Sequence, residues 1–211
     1  MRVIVGLVDE HVGSRERVLQ AAIAIVEAEG EAPLRVDRVA EMAGYTKPVI
    51  YHHFGDREGL IIAVQIERYR KGLETGLDDV SRAVESCRTI DDFTAVVRAW
   101  IASFSTPEGI ERRRIRMEVL GSAVSRPRLR ENVIQSNREY MTIVGALFEF
   151  ARERGWLAVD FPVHDLSIWF TGLVLGRHLA ETDPAFFDPS VYDRITDLVL
   201  VAMFNGQPLR T

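Results

Sequence analysis

The stretch Leu34-Arg35-Val36-Asp37-Arg38-Val39-Ala40-Glu41-Met42-Ala43-Gly44-Tyr45-Thr46-Lys47-Pro48-Val49-Ile50-Tyr51-His52-His53-Phe54 decides how this chain is read. Val36, Val39 and Ala43, then Ile50 and Phe54, recur at three- and four-residue steps on either side of Gly44. That spacing predicts two short helices, about 36–43 and 47–54, sharing a small apolar core. Gly44 supplies the tight turn between them, because a side chain there would be strained at positive φ. Ala40 is small where two helices must cross closely. Two short helices joined by a glycine turn over roughly twenty residues match the helix-turn-helix of DNA readers.

Pro48 is tolerated only in the first turn of a helix, where its missing N–H had no partner. This puts Thr46, Lys47, Pro48 and Val49 at the leading end of the second helix, the end that enters a major groove. Thr46 and Lys47 can donate to phosphates or base edges, while Pro48 and Val49 offer apolar contact to thymine methyls. Tyr51, His52 and His53 suit phosphate contacts that fix orientation without reading sequence. The free N–H groups of the next helix, with Arg57 beside them, suit a further phosphate, and Asp56 is its expected cap.

Upstream, Ser14 is the expected N-cap of a helix whose apolar positions are Val18, Leu19, Ala22, Ile23 and Val26, and Gly30 closes it. The first dozen residues read as a frayed arm or a generous choice of start codon. Downstream the helical spacing continues and no segment alternates, so the fold class is all-α. Long helices are expected at about 56–76, from Asp91 or Asp92 to about 104, then at 108–123, 127–154, 163–181 and 189–205. The organisation is a three-helix helix-turn-helix domain at 1–60 and a larger helical domain at 61–211.

The 211 residues are 47% hydrophobic and 27% charged, with a formal net charge of −5, an ordinary globular composition. The acidic balance argues against a surface that coats nucleic acid everywhere, yet leaves a local DNA-reading patch open. Cys87 is the only cysteine, so no intrachain disulfide or thiolate cluster can form, and it reads as a small buried apolar residue. No apolar run is long enough to span a bilayer, and residues 1–8 lack the pattern of a secretion signal, so the expected location is the cytoplasm. No phosphate-cradling loop, nucleophile motif or metal-ligand spacing occurs. Adjacent His52 and His53 point apart on a helix, which excludes them as a ligand pair. No metal, no cofactor and no catalysis are expected.

Ala40, Gly44, Tyr51, His53, Phe54, Arg57 and Leu60 together resemble the DNA-binding signature of the TetR family, in which a small residue and a glycine precede a Tyr-x-His-Phe helix end. Tyr45 departs from the small aliphatic residue usual there, and Arg57 replaces a lysine. The resemblance covers about 14–60. It implies a homodimer pairing through the last two long helices, near 163–181 and 189–205, which would bind double-stranded, pseudo-palindromic operator DNA. The sequence supports that pairing independently, since Leu166, Trp169, Phe170, Leu173, Val174, Leu198, Val201 and Ala202 give broad apolar faces. Gly172 and Gly176 allow close helix approach.

The resemblance further implies an apolar pocket in the larger domain for a small, largely apolar effector, with Trp100, Phe104, Met117, Phe148 and Trp169 as its candidate lining. Arg112, Arg113, Arg114 and Arg116 read first as a solvated helix face and second as a cluster recognising an anionic group. His178 reads first as a surface or capped histidine. The chain is thus identified as a ligand-responsive DNA-binding regulator, by family default a repressor. A helical small-molecule-binding or adaptor protein that has lost DNA binding is the alternative. The acidic charge favours that alternative, and intact Thr46, Lys47, Tyr51 and His53 oppose it.

Overall fold

The computed structural model describes residues 13–205, and the expected N-terminal arm lies outside the described residues. These residues form ten α-helices and no strand: α1 (Ser14–Glu29), α2 (Val36–Ala43), α3 (Lys47–Phe54), α4 (Arg57–Glu74), α5 (Leu77–Ser86), α6 (Ile90–Ser103), α7 (Pro107–Val124), α8 (Pro127–Glu153), α9 (Val163–Thr182) and α10 (Pro189–Asn205). The chain divides into two compact units between Arg68 and Tyr69, within α4.

In the first unit α1, α2 and α3 pack on one another around Val18, Val39, Ile50 and Phe54, and Leu60, Ile61 and Val64 of α4 complete the core. The turn between α2 and α3 is built as expected, with Gly44 at φ 73° and ψ 30°. Its N–H reaches back to the α2 carbonyls, closing that helix. Pro48 sits in the first turn of α3. The Asp56 carboxylate accepts from the Gly59 N–H at 2.6 Å and so caps α4. Ser14 is not the cap expected of it: α1 starts at that residue after Gly13, and the Ser14 hydroxyl bonds His53 instead.

The second unit centres on α8, which packs against α7 and α9, with Phe93, Val144, Phe148 and Phe170 among its buried apolar residues. Two local expectations need correction. The ten-residue α5 was not foreseen: its Leu77 and Val84 are buried, and it packs on α6 and α8. The cap of α6 is Thr89 rather than Asp91 or Asp92. Its side chain accepts from the Asp92 N–H at 3.1 Å while the Asp92 carboxylate accepts from the Thr89 N–H at 2.9 Å. This reciprocal box satisfies donors that a helix start otherwise leaves open.

Cys87 is buried as expected, and burial raises the pKa of its thiol, with the nearby Asp92 charge adding to the effect. Arg113 and Arg116 correct the solvated-face reading, because both are buried while Arg114 stays exposed between Glu111 and Glu118.

The apolar surface of α9 is also redistributed. Leu166, Phe170 and Val174 face the interior, whereas Ile168, Trp169 and Leu179 are exposed. A helix apolar on most sides does not reveal from sequence which stripe meets its own core. Gly176 serves packing within the chain, since a Cβ there would stand 2.9 Å from the Tyr192 hydroxyl. That hydroxyl donates to the Leu173 carbonyl at 2.7 Å. Around Gly172 the space is open.

Candidate functional site

α3 buries Ile50 and Phe54 and leaves Thr46, Lys47, Pro48, Tyr51 and His52 exposed, with Val49 and His53 half-buried. Thr46 occupies the N-cap position, yet its side chain makes no capping bond. Lys47 pairs with Asp37 of α2, both well exposed. Such a surface pair is worth about 1 kcal/mol at most, so a phosphate can displace the carboxylate. Tyr51 and His52 are exposed on the same helix.

His53 is held by Ser14 of α1 through a 2.7 Å bond between the Ser14 hydroxyl and His53 Nε2. Arg15 of α1 lies 5.3 Å over the Phe54 ring. These two contacts tie the end of α3 to the start of α1. Arg57 donates from Nε to the Leu34 carbonyl at 2.9 Å, bracing the segment before α2 while the residue stays exposed. Tyr45 packs against the core and carries the Arg17 guanidinium 5.3 Å over its ring, which accounts for an aromatic residue at that place. Arg38 and Glu29 form a further exposed pair, and the Arg38 hydrogen bonds hold the Glu29 carboxyl below its ordinary pKa. The Ser14–His53 link has no signal in the sequence, because its partners are 39 residues apart and meet only where α1 and α3 pack.

In the second unit Trp100, Phe104 and Phe148 gather around Phe170, with ring centroids 4.9, 6.5 and 6.2 Å from it. Spacings of this kind are ordinary aromatic contacts. Slender cavities lie beside them, about 10 Å³ next to Trp100 and Phe148 and about 20 Å³ next to Phe104. Met117 and Trp169 stand outside this cluster. Met117 is exposed on α7, and Trp169 lines a surface groove of about 340 Å³ with Phe161, Leu166 and Met203.

Arg113 and Arg177 meet Glu181, and Arg177 also binds Asp193 at 2.7 and 3.0 Å. Arg113 further donates to the Phe104 carbonyl at 3.0 Å. Two cations and two anions thus neutralise one another beside the aromatic cluster. His178 is half-buried with Nδ1 3.6 Å from Glu181. Among the described residues no helix is long and apolar enough to cross a membrane, and no His, Cys, Asp and Glu group has the arrangement of a metal site.

Fold and surface together define an all-α helix-turn-helix protein carrying a second, larger helical unit. Residues 18–64 match the family model of the bacterial regulatory proteins of the tetR family, so the first unit is similar to the N-terminal domain of those proteins. It is 34% identical over 80 residues to the HTH-type transcriptional repressor AcnR of Corynebacterium efficiens. The match covers 36% of this chain and 43% of AcnR, so it spans less than half of that relative.

Solved structures share the whole fold. Salmonella enterica GusR superposes with a TM-score of 0.66 at 18% identity, over 93% of this chain and 98% of the other. SmeT, the repressor of the Stenotrophomonas maltophilia multidrug efflux pump SmeDEF, gives 0.60 at 21% identity, over 96% of each chain. SmeT in complex with triclosan gives 0.58 at 25% identity, over 90% of each.

Proposed function

We propose that this protein is a dimeric transcriptional regulator that binds operator DNA through α3 and releases it when a small effector enters the second unit. The observation that carries the reading is the outer face of α3. A helix of eight residues keeps Lys47, Pro48, Tyr51 and His52 exposed, with its N-cap Thr46, while two apolar anchors fix it to the core of the first unit. Thr46 and Lys47 then address base edges or phosphates at the leading end, and Pro48 and Val49 meet thymine methyls. Tyr51, His52 and Arg57 contact phosphate. His53, bonded to Ser14, orients the helix that carries them.

Exposed apolar residues on α9 and α10 support pairing of two copies, which places two recognition helices about one DNA turn, 34–36 Å, apart on a pseudo-palindromic operator. The aromatic cluster around Phe170, with Trp100, Phe104 and Phe148, supports an apolar effector site, entered by displacement of packed rings. α4, which contributes residues to both units, carries the coupling. Release requires several kcal/mol of differential effector affinity between two conformers. Repression is the sign we assign, as SmeT and AcnR are described as repressors.

The test is a fluorescence-anisotropy titration against the DNA flanking the protein's own gene. Tight binding that survives excess unrelated DNA and falls steeply with salt is the expected result, because phosphate contacts release counterions. Weak, sequence-blind binding across that DNA and a genomic fragment library would overturn the reading in favour of a helical small-molecule-binding protein.

A further inference from the structure

α7 carries two buried arginines that differ in one respect. Arg113 is closed off by Glu181 and by the Phe104 carbonyl. Arg116, 4% exposed, has no carboxylate partner, and its Nε and Nη2 have no hydrogen-bond partner among the described residues. Its stem passes Gly72 of α4, where a Cβ would meet Arg116 Cγ at 3.4 Å. Its guanidinium lies 5.5 Å from the Tyr140 ring centroid. The carboxylates nearest along α7, Glu111 and Glu118, are exposed and bind Arg114. A buried guanidinium without a counter-charge is costly, because desolvation is not repaid.

Around it stand neutral hydrogen-bonding groups. Burial raises the pKa of both Tyr69 and Tyr140, and the Arg116 charge only partly offsets this, so both hydroxyls stay protonated. Tyr69 donates to Asn137 Oδ1 at 2.7 Å. The arrangement therefore holds one uncompensated positive charge, two phenols and an amide, all contributed by the second unit.

We infer that Arg116, with Tyr69, Tyr140 and Asn137, is an anion-recognition subsite, and that the effector is an amphiphilic monocarboxylate rather than a neutral apolar molecule. This rests on the reading of the second unit as the effector domain and names the chemistry it selects. One buried charge matches a monoanion; a phosphate dianion would leave an excess negative charge buried. A carboxylate offers two acceptor oxygens in the geometry that a guanidinium edge recognises. The apolar body of the ligand then lies toward the aromatic residues of the same unit.

The test titrates the full-length protein calorimetrically with acetate, benzoate, 4-phenylbutyrate and octanoate, each against its neutral amide. Wild type should bind at least one of the longer acids more tightly than its amide by about ten-fold or more, as charge-assisted bonds imply. Arg116→Met keeps an apolar stem of similar length and removes an unpaired buried charge, so its melting temperature should not fall. It should lose the preference for the acid and keep any affinity for the amide.

Equal binding of acid and amide, unchanged acid binding by Arg116→Met, or no binding by any member of the panel would overturn the inference. Operator binding measured on the same preparation separates the two readings. DNA binding without acid selectivity defeats the subsite alone, whereas Arg116-dependent acid binding without DNA binding defeats the regulator alone.

Discussion

Lys47 is the side chain on which the DNA reading of α3 can be tested most directly, because its surface partner competes with phosphate. Asp37 holds the Lys47 ammonium in an exposed ion pair, whose loss costs about 1 kcal/mol at most. Asp37→Asn should therefore raise operator affinity, by up to about five-fold. Lys47→Ala should lower it and reduce the slope of log affinity against log salt by about one. Tyr51→Phe should weaken specific and unrelated DNA alike, since phosphate contacts carry no sequence information. Anisotropy titrations of the three variants at two salt concentrations check this, and affinities that do not move would displace α3 from the groove. At this scale the sequence was informative where one residue does one local job. Gly44 had to turn, Pro48 had to sit in a first turn and Asp56 had to cap. It was silent on Ser14–His53 and on Arg113 and Arg116, because those roles depend on what a distant helix brings alongside.

Helix ends and helix contacts carry the next set of consequences. Asp92 accepts N–H bonds from Thr89 and Arg88, and the bond to the Arg88 backbone is the largest cause holding its carboxyl below the ordinary aspartate value of 3.8. A lowered folded-state pKa means the cap is fully present at neutral pH and is lost as pH falls through that folded value. Amide protection at the start of α6, taken relative to the intrinsic exchange rate at each pH, should therefore be weaker in acid than at neutrality. Asp92→Asn should show weak protection at both. Hydrogen exchange of residues 89–94 reads the difference, and pH-independent protection in the wild type would contradict it.

A second consequence concerns α9 and α10. Gly176→Ala would push a methyl within 2.9 Å of the Tyr192 hydroxyl, costing about 1–3 kcal/mol by overpacking. In a Tyr192→Phe background the obstruction is gone, so the same substitution should cost much less, and thermal melts of the four proteins give the coupling. Helix boundaries were largely legible because Gly and Pro punctuate them. α5 escaped because its ten residues lie between Gly76 and Cys87, held by packing on α6 and α8 more than by a long periodic run.

For the whole molecule the decisive feature is apolar surface that a single chain leaves in water. On α10, Val191, Ile195 and Leu198 are 38, 57 and 55% exposed and follow one another at four- and three-residue steps. On α9, Ile168 and Leu179 are 56 and 69% exposed, with Gly172 and Leu175 between them on the same stripe. Two such stripes on successive helices suit a four-helix bundle with a second copy. The sequence indicated these helices and Leu198, but not Val191, Ile195, Ile168 or Leu179, since the buried Leu166, Phe170 and Val174 give α9 an equally apolar inner face.

Leu198→Glu separates the two faces. It leaves the core untouched, so the melting of the second unit should change little in dilute solution, while a buried carboxylate at a self-pairing surface repeats in both copies and opposes association. Sedimentation should move from dimer to monomer. Operator affinity should fall together with the salt slope toward about half its dimeric value, because one recognition helix neutralises about half as many phosphates as two. A Leu198→Glu protein that remains dimeric would remove α10 from the interface. One that becomes monomeric yet keeps the full salt slope would show that DNA engages a single helix-turn-helix.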